Sequence, residues 1–293
     1  MKILITGSNG FLGSRFVSSY KDKFELLTLS RKNADICIDL GAGDELESID
    51  TDIVIHAAGK AHTVPKTEAE KEEFFKVNLK GTQNLVRSLK NVKTFVFIST
   101  VAVYGVESGA KINEKHKLEG QTPYAKSKIL TEKFLSEHCK ENNINLLVLR
   151  LPLLAAENPP GNLGTMIRAM SHKRYLSINK GKAKRSVVLI EDIVNWLPSC
   201  FGKTGIYNLT DNDDPTFREL ELTIANQLNI TPPISLPLFV AKFLGFMGDM
   251  FRLSFINSDK INKMTNSLTF CSKKAIEELE WNPRKVKENF KIH

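Results

Sequence analysis

Short apolar runs alternate along the chain with longer segments in which apolar residues recur every three and four positions. The short runs are Lys2 to Ile5, Glu25 to Leu29, Ile53 to His56, Thr94 to Ser99 and Asn145 to Leu149; Val187 to Ile190 and Ile206 to Leu209 follow later. Their length and content suit strands, and the segments Phe11 to Tyr20, Glu68 to Leu89 and Tyr124 to Glu141 carry the helical period. Parallel strands need crossover helices, so this alternation predicts an α/β fold, a doubly wound parallel sheet whose first five strands lie before residue 150.

After Leu154 the chain reads Ala155-Ala156-Glu157-Asn158-Pro159-Pro160-Gly161-Asn162, which breaks regular structure. A domain border is placed there. Residues 1–153 form the sheet domain, 184–213 return to it, and 154–183 with 214–293 build a smaller, mostly helical lobe over the carboxyl ends of the strands. Leu236 to Leu253 is rich in Leu, Phe and Met, but Lys242, Asp249 and Arg252 interrupt it, so a packed helix of the lobe is preferred to a membrane span. A membrane-surface contact is the second option.

At 293 residues and 42% hydrophobic content the chain can bury a large core. Its 41 Lys and Arg against 33 Asp and Glu leave a net charge of +8, which suits an anionic ligand, nucleic acid or an anionic surface alike. Cys37, Cys139, Cys200 and Cys271 are widely spaced with no metal-ligand pattern, so reduced thiols and no metal are expected. Met1 leads directly into a strand and a glycine turn instead of an export signal, and a cytoplasmic location is expected.

That first strand ends in Thr6-Gly7-Ser8-Asn9-Gly10-Phe11-Leu12-Gly13 and opens a helix. Gly7 permits the turn, Gly10 lets backbone N–H groups approach a pyrophosphate, and Gly13 lets the helix pack close to the strand; Asn9, Phe11 and Leu12 complete the loop. The second strand ends in Leu29-Ser30-Arg31-Lys32, with no carboxylate to bond a ribose. A hydroxyl and two cations suit a 2′-phosphate, so Ser30 and Arg31 favour NADP over NAD. Asp39 and Leu40 are placed to border the adenine.

Tyr124 and Lys128 stand four apart at a helix start, on one face. A phenol titrates at about 10, and a neighbouring ammonium together with the positive oxidised nicotinamide lowers that value toward working pH. Lys128 can also bond the nicotinamide ribose. A buried strand ends in Ser99-Thr100 upstream, and a hydroxyl at the carboxyl end of a central strand lies where doubly wound sheets hold ligands. Thr100 is assigned to orient the reacting oxygen toward Tyr124. Ser99 reads as structural at the cofactor's edge. Ala57, Ala58 and Gly59 offer small residues for a dinucleotide to lie against, His56 reads as a packed strand-end histidine, and Asn78, costly inside a helix, reads as a polar bridge near the site.

With Thr6 to Gly13, Ala57 to Gly59, Asn78, Thr100, Tyr124 and Lys128 in this order and spacing, the sequence resembles the extended short-chain dehydrogenase/reductase family, in its nucleotide-sugar epimerase, dehydratase and 4-ketoreductase branch. The resemblance implies a Rossmann-type sheet, a nicotinamide dinucleotide and a nucleotide-diphosphate sugar substrate. It continues through Arg185 to Asp192, and from it Arg185 and Asn162 are carried over as diphosphate contacts. The chain departs from the family after Pro152, where Leu154 to Asn158 replace a common Tyr-Gly-Pro turn. Dehydratases of the branch place an Asp-Glu pair after the catalytic Thr; here Val101 and Ala102 stand there, and neither can exchange a proton. A 4-ketoreductase or a 4-epimerase remains, and the Ser30-Arg31-Lys32 strand end favours the reductase. A non-catalytic dinucleotide-binding regulator ranks far behind, because Tyr124 and Lys128 are both kept. No nucleic-acid partner is expected, and a homodimer stays open.

Overall fold

The computed structural model describes residues 1–61, 63–251 and 257–292. Its centre is a seven-stranded, all-parallel sheet made of β1 (Lys2–Thr6), β2 (Glu25–Ser30), β3 (Ile36–Cys37), β4 (Ile53–His56), β5 (Thr94–Thr100), β6 (Asn145–Leu151) and β7 (Gly205–Asn208), in the order β7-β6-β5-β4-β1-β2-β3. The order reverses direction beside β1, so the crevice at the carboxyl ends of β1 and β4 is the topological switch point of a Rossmann-type fold.

Alternation along each strand assigns the two faces. Ile3, Ile5, Ile53 and Ile55 point to one side, where Phe16 of α1 (Phe11–Tyr20) covers them. Leu4, Val54, Phe95 and Phe97 point to the other, against Leu85 and Leu135. The helices on that second side are α2 (Glu68–Phe75), α3 (Gly81–Ser88) and α4 (Pro123–Glu141). Thr67 and Thr122 cap α2 and α4 through their hydroxyls, each worth about 1 kcal/mol of helix stability. The expected single helix over 68–89 is divided: residues Lys76–Lys80 form a π-helical turn between α2 and α3, centred on Asn78. A π turn inserts one extra residue, which aims a side chain off the helical stripe.

Beyond Leu151 the structure differs from the expected return to the sheet. Pro152 lacks the N–H needed to continue the β6 ladder, and the chain leaves the sheet there. Leu153–Ala155 then pairs with Val187–Leu189 in a separate two-stranded sheet, so only Gly205–Asn208 rejoins the main one. The lobe is built from α5 (Gly161–Ser171), α7 (Phe217–Gln227), α8 (Leu238–Met250) and α9 (Ser258–Thr265), while the short α6 (Ile190–Trp196) packs on the main core. Its core joins Leu163, Met166 and Met170 of α5 to Leu220 and Ile224 of α7 and to Val286 and Phe290. Two parts of the later chain belong to the main core: Ile193 and Val194 of α6, and Trp281, whose Nε1 donates to Thr210 O at 2.9 Å. The stretch 236–253 holds α8, packed on α9 as expected of a lobe helix; its Arg252 and Leu253 lie outside the described residues. Among the described residues no helix is long and apolar enough to cross a membrane.

Candidate active site

The turn from β1 into α1 is shaped by its glycines. Gly7 has φ +67° and donates to Leu29 O at 2.8 Å, while Gly10 N–H donates to Gly7 O at 2.8 Å. Neither Gly7 nor Gly13 has room for a side chain: a Cβ on Gly13 would stand 2.2 Å from Gly7 O, and one on Gly7 would stand 2.8 Å from Ala58 Cα. Gly10 is the N-cap of α1, and neither a side-chain cap nor an acidic residue occupies that first turn. Its N–H groups and its positive dipole end are thus available to an anion. Asn9 Nδ2 donates to Lys32 O and Asn33 O, tying this turn to the loop after β2. Ser30, Arg31 and Lys32 follow at that strand end; Arg31 and Lys32 are exposed and form no ion pair among the described residues. Phe11 lies under the Arg15 guanidinium, 4.1 Å from ring centroid to Cζ. Leu12 is buried in the main core.

Asp39 and Leu40 divide. Asp39 is exposed and its carboxylate accepts from Gly41 N–H in a local turn, whereas Leu40 packs into the sheet core with Leu4 and Leu85. On the neighbouring strand end, His56 is fully enclosed by a chain of hydrogen bonds. Ala58 N–H donates to Thr6 Oγ1, which meets His56 Nδ1 at 2.6 Å; His56 Nε2 meets Thr82 Oγ1 at 2.8 Å, and Thr82 donates onward to Asn78 O. Thr82 spends its proton on a carbonyl, so it accepts from Nε2–H, and Nδ1 accepts from Thr6. Burial, with Lys128 nearby, lowers the imidazole pKa to about 3. His56 is a neutral positioning residue for the Ala57-Ala58 turn, as its packed-histidine reading anticipated.

Asn78 is buried where the π turn points it. Its Oδ1 accepts from Lys60 N–H at 2.7 Å, and its Nδ2 donates to Lys60 O and to Ser127 Oγ. It thereby joins the loop after β4 to the face of α4. Gly59 lies in the angle between: a Cβ there would come 3.0 Å from Asn78 Oδ1 and 3.4 Å from Lys128 Nζ.

Tyr124 and Lys128 occupy the first two turns of α4, facing the end of β5. Tyr124 stands close enough to Thr100 for that side chain to act on its titration, and Thr100 Oγ1 accepts from Ala102 N–H. Lys128 is buried, donates to Ile98 O at 2.8 Å and stands 4.4 Å from the Phe97 ring centroid. Burial of the phenol raises the Tyr124 pKa, and Thr100 only partly offsets that rise. Burial also lowers the pKa of Lys128, to about 8, and its ammonium donates to Ile98 O.

Ser99 and the neighbouring side chains were incompletely read. Ser99 Oγ is bonded to Glu132, so its hydroxyl belongs to the core and not to the crevice. Glu132 is paired with Arg150 at 2.6 Å with both groups buried, and Arg150 reaches Tyr104, whose hydroxyl donates to Asn208 at 2.7 Å. This network fixes the end of β5 from below. The signal was present: Glu132 stands at the same helical face as Tyr124 and Lys128, and Arg150 interrupts an apolar strand.

Arg185 is not free in space. Its guanidinium donates to Lys184 O, Lys263 O and Asn266 O and lies 5.2 Å from the Phe217 ring centroid. It has no carboxylate partner among the described residues, and burial lowers its pKa to about 10. Asn162 is exposed in the first turn of α5.

A sequence model described as the NAD-dependent epimerase/dehydratase family matches residues 3–199. The chain belongs to that family. Among its relatives, a UDP-glucose 4-epimerase of Vibrio cholerae is 27% identical over 99% of this chain and 93% of that protein. An N-acetyl-α-D-glucosaminyl-diphospho-ditrans,octacis-undecaprenol 4-epimerase of Escherichia coli O157:H7 is 23% identical, covering 85% and 79%. In fold, the chain is similar to the UDP-glucuronic acid 4-epimerase of Bacillus cereus in complex with NAD (TM-score 0.74, 17% identity, 99% and 96% covered). It is equally similar to RMD of Pseudomonas aeruginosa complexed with NADPH (0.72, 19%, 98% and 96%).

The site of this epimerase/dehydratase family member fits a nicotinamide dinucleotide. Gly7, Gly10 and Gly13 keep side chains away from the backbone N–H groups at the start of α1, and Gly59 leaves a gap beside Lys128 and Asn78 that a Cβ would fill.

Proposed function

We propose that this chain is a nucleotide-sugar 4-ketoreductase that uses NADPH. The observation that carries the reading is Tyr124 beside Thr100 at the end of β5, with Val101 and Ala102 following that threonine. One hydride and one proton are then all the site can exchange, which suits reduction of a carbonyl and not elimination of water. The bound dinucleotide supplies the hydride. Thr100 orients the sugar carbonyl oxygen, and Tyr124, kept as a phenol by its burial, donates its proton to that oxygen as charge develops on it. Lys128 holds the nicotinamide ribose beside Gly59, while Gly7, Gly10 and the α1 N-terminus hold the pyrophosphate. Arg31 and Lys32 meet the 2′-phosphate, which favours NADPH. Arg185 and Asn162 are assigned to the sugar's diphosphate.

A second reading, a 4-epimerase with retained NAD, is favoured by the relatives that are 4-epimerases. In that reaction Tyr124 first accepts the sugar hydroxyl proton and later returns it as the hydride goes back to the other face. The test is turnover with a 4-keto-sugar nucleotide. NADPH consumed in equal amount with reduced sugar supports the reductase. Dinucleotide that survives purification, with interconversion of two epimers and no net consumption, supports the epimerase instead.

A further inference from the structure

The helix α8 carries its side chains the wrong way round for a helix of a water-facing lobe. Its small residues Ala241, Gly245 and Gly248 are the buried ones; a Cβ on Gly245 would stand 3.1 Å from Ile261 and 3.3 Å from the Ser258 backbone of α9. The bulky residues point out: Phe239, Phe243, Phe246 and Met250 are 75%, 62%, 61% and 55% exposed. Their spacing of four, three and four places them along one helical face. A stripe of this size exceeds the scattered apolar residues of an ordinary surface.

The surroundings indicate what covers it. Ser177–Ile178 pairs in parallel with Ser235–Leu236, just before α8, and Ile178 packs against Ala241. From Arg168 to Arg185 the chain holds seven cations (Arg168, Lys173, Arg174, Lys180, Lys182, Lys184 and Arg185) and no Asp or Glu. Of these, Lys173, Arg174, Lys180, Lys182 and Lys184 are exposed. At the segment's strand, Leu176 and Ile234 are also turned outward. The nearby acids are engaged: Asp249 accepts from Ser258 N–H, and Asp259 pairs with Lys263 at 2.6 Å. We infer that the α8 face, with the basic segment beside it, docks on an anionic membrane surface. Aromatic side chains enter the acyl boundary while the lysines and Arg174 meet lipid phosphates, the arrangement of an interfacial helix that lies on a bilayer without crossing it.

The test is co-sedimentation of the full chain with vesicles of phosphatidylcholine alone and of phosphatidylcholine with phosphatidylglycerol, at low and high salt. The protein is expected to sediment with the anionic vesicles only, and to be released by salt as the charges are screened. Phe243→Ser with Phe246→Ser should weaken partitioning by about tenfold or more, and Lys180→Glu with Lys182→Glu should remove the dependence on phosphatidylglycerol; both pairs are exposed, and melting curves check that the fold is kept. Wild-type protein that stays in solution with both vesicles overturns the inference. So does wild-type self-association in light scattering that Phe243→Ser abolishes while vesicles bind nothing, because a second copy then covers the face.

Discussion

Replacing Lys128 by methionine separates what the site needs from what the fold prefers. Lys128 is 5% exposed, and its pKa falls from 10.5 to about 8 because burial disfavours the ammonium. Between those values the unfolded chain binds the proton that the folded one has released, so stability rises with pH through the window from 8 to 10.5, and below 8 the whole penalty is present. At about 1.4 kcal/mol per unit the penalty at pH 7 is about 3 kcal/mol. Methionine removes it but leaves Ile98 O without its donor, at a cost of about 1 kcal/mol. The net gain of about 2 kcal/mol corresponds to a melting temperature about 4 °C higher for a chain of this size. At pH 9.5 the penalty has shrunk to about 1 kcal/mol, and the two proteins should melt nearly together. Thermal melts at pH 7 and 9.5 without added dinucleotide measure both differences. A variant that melts below wild type at pH 7, or a gap that widens at pH 9.5, refutes the reasoning. The same variant is expected to lose turnover.

Tyr124→Phe should abolish turnover and leave dinucleotide affinity unchanged, read by activity and by fluorescence titration of NADPH. Gly13→Ala improves helix propensity by up to about 1 kcal/mol, yet its Cβ would stand 2.2 Å from Gly7 O; the clash should win, and titration should show dinucleotide binding lost. Arg31→Ala with Lys32→Ala should lower the NADPH-to-NADH affinity ratio by about tenfold or more, the worth of a charge-assisted bond, measured by parallel titrations. Glu132→Ala leaves Arg150 buried and unpaired, and denaturant melts should show a loss of about 3–5 kcal/mol; Glu132→Met with Arg150→Met should recover most of it.

The sheet was legible because its central strands β1, β4, β5 and β6 are buried on both faces and so are largely apolar. Ile36–Cys37 escaped notice since two residues carry no periodicity, and Val187–Leu189 could be recognised as a strand but not located, because pairing is decided by where Pro152 turns the chain. Around the candidate site, residue types and spacings singled out Gly7, Gly13, Asn78, Thr100, Tyr124 and Lys128, because a glycine turn and a Tyr-Lys pair four apart on a helix are recognisable in sequence. The direction of the Lys128 ammonium was not legible. Spacing puts it on the face of Tyr124, but only the fold shows that Ile98 O receives it. The Glu132–Arg150 pair was missed for a related reason, since a charge on a helix is ordinarily solvated and only packing reveals that this one is not.

Helix α4 shows why the reaction is not decided by the residues that are easiest to find. Tyr124, Lys128 and Glu132 follow one another at intervals of four, so one stripe of the helix passes from crevice to core. At its start Tyr124 meets Thr100; one turn on, Lys128 is held by Ile98 O; a further turn on, Glu132 is locked to Arg150 and Ser99. The core pair therefore fixes the register of α4 against β5, and with it the approach of Tyr124 to Thr100. That geometry serves reduction, epimerisation and the first step of dehydration equally. What separates them lies beside the stripe, in side chains whose identity is chemically silent or exposed: Val101 and Ala102, which offer no acid or base, and Arg31 and Lys32, to which the proposed reading gives the choice of dinucleotide. Introducing Asp and Glu at 101 and 102 leaves the α4 stripe intact, so any gain of water elimination from the substrate would be assigned to those two positions alone.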